Sequence, residues 1–262
     1  MEKKKAIEVE MRNVWTDRYG AIYSLNRKRL LKGPCSKRYE VIEGTEEIDD
    51  RAFGHNKSLV TVVIPNTVSY LGKGVFWGCT SLESCVLSES ITEINDGAFV
   101  DCVSLKKVQL PKRLTHIGGA AFHGCTSLEY IEIPESVLSI KAPIFAGSKC
   151  QIKYSGSAFQ VIDKALYQIY DKALYGEEAL ALLHCPTDVE EFVVPESTKY
   201  IANNAFHGCV SLKTITITRP VAMGRCLFIS CDSLVRINIP KGTKKAIANL
   251  YPKQEELLFE NI

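Results

Sequence analysis

The stretch Ala121-Phe122-His123-Gly124-Cys125-Thr126-Ser127-Leu128 decides the fold, because it returns almost unchanged as Ala205-Phe206-His207-Gly208-Cys209-Val210-Ser211-Leu212. A further close copy occupies residues 98–105, and looser copies surround other phenylalanines. In the first part of the chain the marker phenylalanines recur every 23 residues, at Phe53, Phe76, Phe99, Phe122 and Phe145. A fixed period of roughly 20 to 50 residues is the signature of a repeat protein whose units stack on one another.

Other columns of apolar residues keep the same phase. An aliphatic residue stands five positions before each marker phenylalanine, at Ile48, Leu71, Ile94, Ile117, Ile140 and Ile201. Apolar pairs follow the phenylalanine at nine and eleven positions, as Val62/Ile64, Cys85/Leu87, Val108/Leu110, Ile131/Ile133, Ile215/Ile217 and Ile237/Ile239. Alternation with period two predicts one short strand in each unit. A unit this short cannot bury its own apolar face, so the units must stack into a parallel sheet.

These columns resemble the BspA-like leucine-rich repeat, written I-P-x-x-V-x-x-I-x-x-x-A-F-x-x-C-x-S-L, from Ile48 to Ile239 apart from a central interruption. The resemblance implies an α/β solenoid, a right-handed leucine-rich-repeat superhelix with a parallel sheet, a hairpin N-terminal cap and a helical C-terminal cap. It also implies recognition of proteins or ligands, often at bacterial or protist surfaces, and no catalytic residues. Departures from the pattern are Ser88 and Thr218 at the proline position and Asn56 at the cysteine position.

The pattern divides the chain into five segments. We expect a cap with a β-hairpin at 1–44, repeats at 45–150, an irregular hairpin insertion at 151–190, repeats at 191–240 and a helical cap at 241–262. The two hairpins are expected because Ala21-Ile22-Tyr23 has a counterpart in Ala173-Leu174-Tyr175. The C-terminal helix is expected over 243–250, with Thr243 as its N-cap and Pro252 beyond its end.

Composition excludes some classes of partner. The net charge is +2, and 46% hydrophobic with 24% charged residues is ordinary for a soluble protein. This balance predicts neither nucleic-acid binding nor membrane insertion. Charged residues such as Glu8 and Glu10 interrupt any signal core after Lys3-Lys4-Lys5, so we expect a cytoplasmic protein. A secreted or cell-surface location is the alternative if a leader was removed.

The cysteines Cys79, Cys102 and Cys125 occupy one column in consecutive repeats. Three interpretations compete: small core residues, a metal site or disulfides. Free cysteine packs as a small hydrophobe, whereas zinc needs four converging ligands and a linear column does not converge. Disulfides would leave the column unevenly paired. We therefore expect core residues, and no metal or cofactor.

Histidines offer the next candidates for chemistry. His123 and His207 both precede a Gly-Cys pair, and His184 precedes Cys185. A Cys-His nucleophilic pair needs an exposed thiolate beside its base. Neighbouring residues in a repeat are expected to point apart, with the histidine outward and the cysteine inward. No phosphate-binding loop or nucleophile elbow is present, so the sequence predicts a protein that is not an enzyme.

The outward residues of the predicted strands are the candidate binding site. They form columns of varied side chains on the expected concave face of a rigid sheet. The candidate residues are Thr61, Ser84, Lys107, Gln109, Tyr130, Glu132, Thr214 and Arg236. The leading hypothesis is a recognition module that binds an unknown protein or glycan through this face. The alternative is a structural or adhesive module that self-associates.

Overall fold

A computed structural model describes residues 14–170 and 179–260 as a parallel-sheet solenoid of about 9 turns. The strands of the first part are β1 (Val14–Thr16), β2 (Ile22–Ser24), β3 (Arg29–Lys32), β4 (Arg38–Glu40), β5 (Glu47–Ile48), β6 (Thr61–Val63), β7 (Tyr70–Leu71), β8 (Ser84–Val86), β9 (Glu93–Ile94), β10 (Lys107–Val108), β11 (His116–Ile117), β12 (Tyr130–Ile133), β13 (Ser139–Ile140) and β14 (Gln151–Tyr154). The later strands are β15 (Phe159–Ile162), β16 (Ala165–Tyr170), β17 (Ala179–His184), β18 (Glu191–Val194), β19 (Thr198–Ile201), β20 (Thr214–Ile217), β21 (Ala222–Met223), β22 (Arg236–Ile239) and β23 (Leu258–Glu260). Helix α1 (Lys244–Leu250) and a 3₁₀ helix (Pro252–Leu257) lie before β23.

Each repeat contributes one strand to each of two walls of the solenoid. The wall that we call sheet A consists of three hydrogen-bonded groups of strands, β4-β6-β8-β10, β12-β14 and β18-β20-β22-β23. The opposite wall, sheet B, consists of the groups β3-β5-β7, β9-β11-β13 and β17-β19-β21. Strands from successive repeats pair in parallel, as in the register of Thr61 with Ser84 and Ser84 with Lys107. The predicted period-two strand therefore builds sheet A, and the aliphatic column before each phenylalanine builds sheet B.

The marker phenylalanines stack into a ladder through the core between the two walls. Phe99 lies 5.2 Å from Phe76 and 5.3 Å from Phe122, measured between ring centroids. All three rings are fully buried. Backbone hydrogen bonds hold the turns in register, since the Phe99 N–H donates to the Ala121 carbonyl oxygen at 2.8 Å. The sequence period thus becomes a physical period, in which each ring covers the face of its neighbour.

Two adjacent glycines show how tightly successive turns approach, and they make a matched pair for mutation. A Cβ atom on Gly118 would lie 2.7 Å from the Asn95 carbonyl carbon and closer still to the Asp96 nitrogen. A Cβ atom on Gly119 would have its nearest neighbour at 3.7 Å.

We expect Gly118→Ala to lower the free energy of unfolding by about 1–3 kcal/mol, because the neighbouring backbone must move. Gly119→Ala should change it by less than about 0.5 kcal/mol. Urea unfolding of both variants checks the prediction, and equal effects would contradict it.

The central interruption starts a second block with its own cap. Strands β15, β16 and β17 form an antiparallel meander that continues in parallel to β19, as β1, β2 and β3 continue to β5. Tyr167 in β16 is buried like Tyr23 in β2. The structural counterpart of Ala21-Ile22-Tyr23 is therefore residues 165–167. Residues 173–175, which the sequence pattern matched to it, lie outside the described residues, as do Lys3–Lys5.

The two blocks meet at a joint that contains three of the chain's five histidines. The apolar cluster of the first block extends across this joint to Phe159, Leu166, Leu183 and Ala202, and a second cluster fills the rest of the second block. The His123 and His207 rings lie 5.2 Å apart, and His184 lies 5.6 Å from Phe145. The Thr187 hydroxyl donates to the Ser148 carbonyl oxygen at 2.9 Å. The segment in which the sequence pattern predicts an irregular hairpin insertion, 151–190, thus contains the antiparallel strands β15 to β17, which lie against the end of the first block.

The C-terminal cap differs in detail from the sequence prediction. Thr243 precedes α1, but its hydroxyl donates to the Pro240 carbonyl oxygen and does not cap the helix. The Glu260 carboxylate accepts the Gly242 and Lys244 N–H groups at 2.9 and 3.1 Å. Leu258 is buried against the last repeat, whereas Phe259 is 40% exposed, because the alternation in β23 turns it to the outer face.

Candidate functional site

The outer face of sheet A in the first block contains six of the predicted binding residues. The register aligns Arg38, Thr61, Ser84 and Lys107 in one row across β4, β6, β8 and β10. Tyr130 has the same repeat position on β12, which pairs with β14 and sets Tyr130 beside Gln151. Glu132 lies two positions further along β12, and Gln109 follows the end of β10. Lys107, Gln109, Tyr130 and Glu132 are exposed, while Thr61 and Ser84 are half-buried.

The remaining two predicted residues lie on the second block. Thr214 and Arg236 pair with one another across β20 and β22. The hydrogen-bonded groups of strands break between β10 and β12 and again between β14 and β18. The eight predicted residues therefore lie on three groups of strands, two in the first block and one in the second. The sequence treated them as one continuous array because the repeat columns carry no sign of the breaks.

The patch on the second block is held in place by its own contacts. The Arg236 Nε donates to the Asn238 Oδ1 at 2.8 Å, and the Asn238 amide donates to the Thr216 hydroxyl at 3.0 Å. The Arg236 guanidinium also lies 4.3 Å from the centroid of the Phe259 ring. A cation over an aromatic face is an attractive arrangement. The guanidinium therefore has a defined position before any ligand arrives.

The patch on the first block combines an exposed aromatic ring with charges of both signs. Tyr130 is 43% exposed. Glu132 pairs with Lys153 of the neighbouring strand at 3.2 Å, and the hydrogen bond to Glu132 raises the pKa of Lys153. Val63 and Val86, which pair with each other on β6 and β8, add exposed aliphatic surface to the same wall. Mixed charge and exposed apolar side chains suit a protein or glycan surface better than a uniformly charged partner.

Strands without the repeat motif add face residues that the sequence columns missed. They are Arg38, Glu40, Gln151, Lys153, Glu191, Val193 and Phe259. Strands β4, β14, β18 and β23 lie at the ends of the two blocks, where the motif gives way to cap sequences. The period-two alternation Gln151-x-Lys153 was the signal that could have identified β14.

The cysteine column is buried, as expected, and it also donates hydrogen bonds. All ten cysteines lie within the described residues and are free. The Sγ atoms of Cys79, Cys102 and Cys125 lie 3.0–3.2 Å from carbonyl oxygens of Phe53, Phe76 and Phe99, respectively. Burial raises the pKa of Cys79 and of Cys125 to about 12. These thiols therefore stay protonated and are poor nucleophiles.

Two residues that stand where the column would have cysteine, Asn56 and Ser148, explain what this repeat position requires. Asn56 donates its amide to the Pro34 carbonyl oxygen at 2.7 Å, and Ser148 donates its hydroxyl to the Cys125 carbonyl oxygen at 3.0 Å. Cysteine, asparagine and serine are small side chains that can all donate to the preceding turn. The sequence predicted a small core residue and missed this donor role, although Asn56 was the sign of it.

The histidines lie at the joint and do not form nucleophilic pairs with cysteines. His123 and His207 are half-buried and contact each other, so the expectation that they point outward was only partly right. Burial and the neighbouring His123 lower the pKa of His207. His184 is buried, and its burial lowers its pKa to about 4. A neutral imidazole packed on Phe145 serves the joint as an aromatic core group.

Two surface depressions have the size of small binding sites. The larger, about 770 Å³, lies beside β4 and the turn from Trp15 to Tyr19. The smaller, about 250 Å³, lies on sheet B and is lined by Glu93, His116 and other polar residues. In residues 14–170 and 179–260, no three His, Cys, Asp or Glu side chains cluster in a way that could hold a metal ion. No helix in the same ranges is long and apolar enough to cross a membrane.

Stacked short strands, a phenylalanine ladder and an exposed face of varied residues define a leucine-rich repeat protein of the solenoid class. The family described as "BspA type Leucine rich repeat region" matches six copies over residues 46–180 and 180–257. The chain belongs to this family, which confirms the resemblance carried by the repeat columns. No curated protein sequence matched the chain.

Solved bacterial leucine-rich repeat proteins share the fold at low sequence identity. A leucine-rich repeat protein from Eubacterium ventriosum has a TM-score of 0.60 and 21% identity, with 79% of this chain and 60% of that chain covered. A leucine-rich cell surface protein from Faecalibacterium prausnitzii has a TM-score of 0.53 and 23% identity, with coverage of 87% and 83%. The pneumococcal vaccine antigen PcpA has a TM-score of 0.55 and 21% identity, with coverage of 81% and 48%. The expectation of a cytoplasmic location finds no support in these similarities.

Proposed function

We propose that this chain is a non-enzymatic recognition module that binds a protein or a glycan through the outer face of sheet A. The observation that carries the proposal is the row of outward side chains from Arg38 to Lys107, followed on β12 by the exposed Tyr130 and Glu132, on a hydrogen-bonded scaffold. Tyrosine and arginine are the residue types enriched among binding hot spots. A preformed surface binds without the entropic cost of ordering its own backbone.

The burial of titratable groups supports a binding role over catalysis. The most strongly shifted groups, including Cys102, Cys125 and His184, are shifted mainly by desolvation within the core or the joint. A catalytic site needs titratable groups that converge on a pocket open to substrate. The exposed groups of sheet A instead form paired charges such as Glu132 with Lys153.

Display at a cell surface is part of the proposal. The similar protein from F. prausnitzii is described as a cell surface protein. Free cysteines do not argue against an oxidising environment here, because eight of the ten are buried or half-buried. Their burial shields these thiols both from oxidants and from disulfide exchange.

A pair of tyrosines with matched exposure tests the proposal. Tyr130 on sheet A is 43% exposed and Tyr70 on sheet B is 45% exposed. The wild-type chain is first screened on a printed glycan array and on a panel of purified matrix and serum proteins. For the strongest binder we expect Tyr130→Ala to weaken binding about tenfold or more. Tyr70→Ala serves as the control and should leave affinity unchanged. A loss confined to Tyr70→Ala would refute the assignment to sheet A.

A further inference from the structure

The first strand of sheet A has an open edge. Among the described residues β4 pairs with β6 on one side only. The Thr61 N–H donates to the Lys37 carbonyl oxygen, and the Val41 N–H donates to the Val63 carbonyl oxygen. Alternate residues of a strand direct their backbone groups to opposite sides. Arg38 and Glu40 therefore direct their backbone groups away from β6. The Arg38 carbonyl oxygen accepts the Ser36 hydroxyl at 2.7 Å, and the backbone groups of Glu40 lie along the open edge.

A preformed groove of about 770 Å³ follows this edge. It is lined on one side by the turn from Trp15 to Tyr19 and on the other by Glu40 and Val63. The turn is fixed, because the Asp17 carboxylate accepts hydrogen bonds from the Tyr19 and Ala21 N–H groups at 2.8 Å. An open strand edge beside a fixed groove is the arrangement that takes up an extended peptide as an added strand.

The side chains of β4 define the sequence that such a peptide needs. Arg38 and Glu40 are exposed on the outer face, two positions apart, and Tyr39 between them is buried. The molecule itself pairs opposite charges between registered parallel strands, as Glu132 does with Lys153 at 3.2 Å. A parallel strand added to β4 would match Arg38 with an acidic residue and Glu40 with a basic one. Its middle residue would face the aromatic side of the groove and should be apolar.

We propose that the open edge of β4 binds an extended peptide with the pattern acidic–apolar–basic, in parallel to β4. The backbone of the peptide continues the hydrogen-bond ladder of sheet A, and its two charges select the direction and register. The edge shares Arg38 with the end of the outer-face row, but Tyr130 lies on β12, four strands further along the wall. The Tyr130 test and the peptide test can therefore each fail without the other.

The test uses two capped peptides on the whole chain, one with a Thr-Thr-Glu-Ile-Lys-Thr-Thr sequence and one with Glu and Lys exchanged. Binding is followed by Trp15 fluorescence and by hydrogen exchange of the Arg38 and Glu40 amides. We expect the first peptide to bind in a saturable way, protect the Glu40 amide and exceed the exchanged peptide in affinity by about tenfold. The double variant Arg38→Glu/Glu40→Arg should invert this preference, a result that simple loss of folding cannot produce.

Three outcomes would overturn the proposal. They are an absence of saturable binding at millimolar peptide, equal affinity for the two peptides, and protection at another edge with Glu40 unprotected. A second copy of the chain is the other possible occupant of the edge, and sedimentation of the chain alone tests for it. A dimer that the double variant disrupts would assign the edge to a second copy and refute the peptide proposal. Tyr130→Ala should bind the first peptide as the wild type does, which keeps the outer-face proposal independent of this result.

Discussion

Replacing Phe99 with alanine should lower the free energy of unfolding by about 3–5 kcal/mol, the range for a fully buried phenylalanine. Its ring stacks between those of Phe76 and Phe122 at 5.2 and 5.3 Å and is completely buried. The variant loses the burial of its own ring and uncovers a face on each neighbour. Because each turn touches only adjacent turns, the cavity cannot be refilled from elsewhere in the solenoid. Denaturant unfolding, followed by fluorescence and circular dichroism, measures the loss.

Phe259→Ala is the matched control for this prediction. Phe259 is 40% exposed and contacts the Arg236 guanidinium, so its loss should cost less than about 1 kcal/mol. Phe99→Leu should fall between the two, because a branched aliphatic side chain fills part of the space. If Phe99→Ala cost no more than Phe259→Ala, the stacked ladder would not be what holds the first block together.

Lowering the pH should reduce the free energy of unfolding through His184, which lies at the joint between the blocks. Burial lowers its pKa to about 4 in the folded chain, whereas an exposed histidine titrates near 6.5. Between about pH 6.5 and pH 4, His184 is therefore protonated in the unfolded chain and neutral in the folded chain. His184 therefore costs the folded state nothing above about pH 6.5, and its cost grows as the pH drops towards 4. At pH 5 it lowers the free energy of unfolding by about 2 kcal/mol. Half-buried His207 acts in the same direction, since its burial and the neighbouring His123 also lower its pKa.

His184→Leu isolates this contribution. The variant should lose less stability than the wild type between pH 7.5 and pH 5, as measured by urea unfolding at each pH. His116→Gln is the control, because His116 is exposed on sheet B and should leave the acid sensitivity unchanged. An acid sensitivity that persists in His184→Leu and disappears in His116→Gln would place the responsible group on the surface.

The sequence predicts the regular part of this fold because the repeat encodes it locally. The period of 23 residues places Phe53 to Phe145 on one ladder, and the alternation around Ile131 gives a strand with one buried face. Each of these features depends only on contacts within one turn of the solenoid or with the equivalent residues of the adjacent turn. The burial of Cys79 and its column follows from the same regularity.

The joint could not be predicted because its contacts join residues far apart in the sequence. His123 and His207 are separated by the whole second cap, and no periodicity relates His184 to Phe145. The likeness of the central segment to the N-terminal hairpin was visible. Its alignment was ambiguous, because the Asp-Lys-Ala-Leu-Tyr sequence occurs at both 163–167 and 171–175.

The candidate site was predicted in part for a related reason. The columns located Thr61, Lys107 and Tyr130 on one face because the motif strands carry them. Arg38 and Lys153 were missed, since β4 and β14 lack the motif and become strands only by pairing with a repeat. The groove beside β4 depends on the turn that contains Asp17, whose position is fixed by long-range contact with Tyr39.

Hydroxyl-radical footprinting of the whole chain with its strongest array or panel binder tests the central claim most directly. Tyr130 reports on sheet A and Tyr70 on sheet B, and their exposed fractions in the free chain are nearly equal, 43% and 45%. Recognition through the outer face of sheet A predicts that Tyr130, together with Val63 and Val86, becomes protected while Tyr70 stays as reactive as before. Protection of Tyr70 with Tyr130 unchanged would contradict the account and move the binding surface to sheet B.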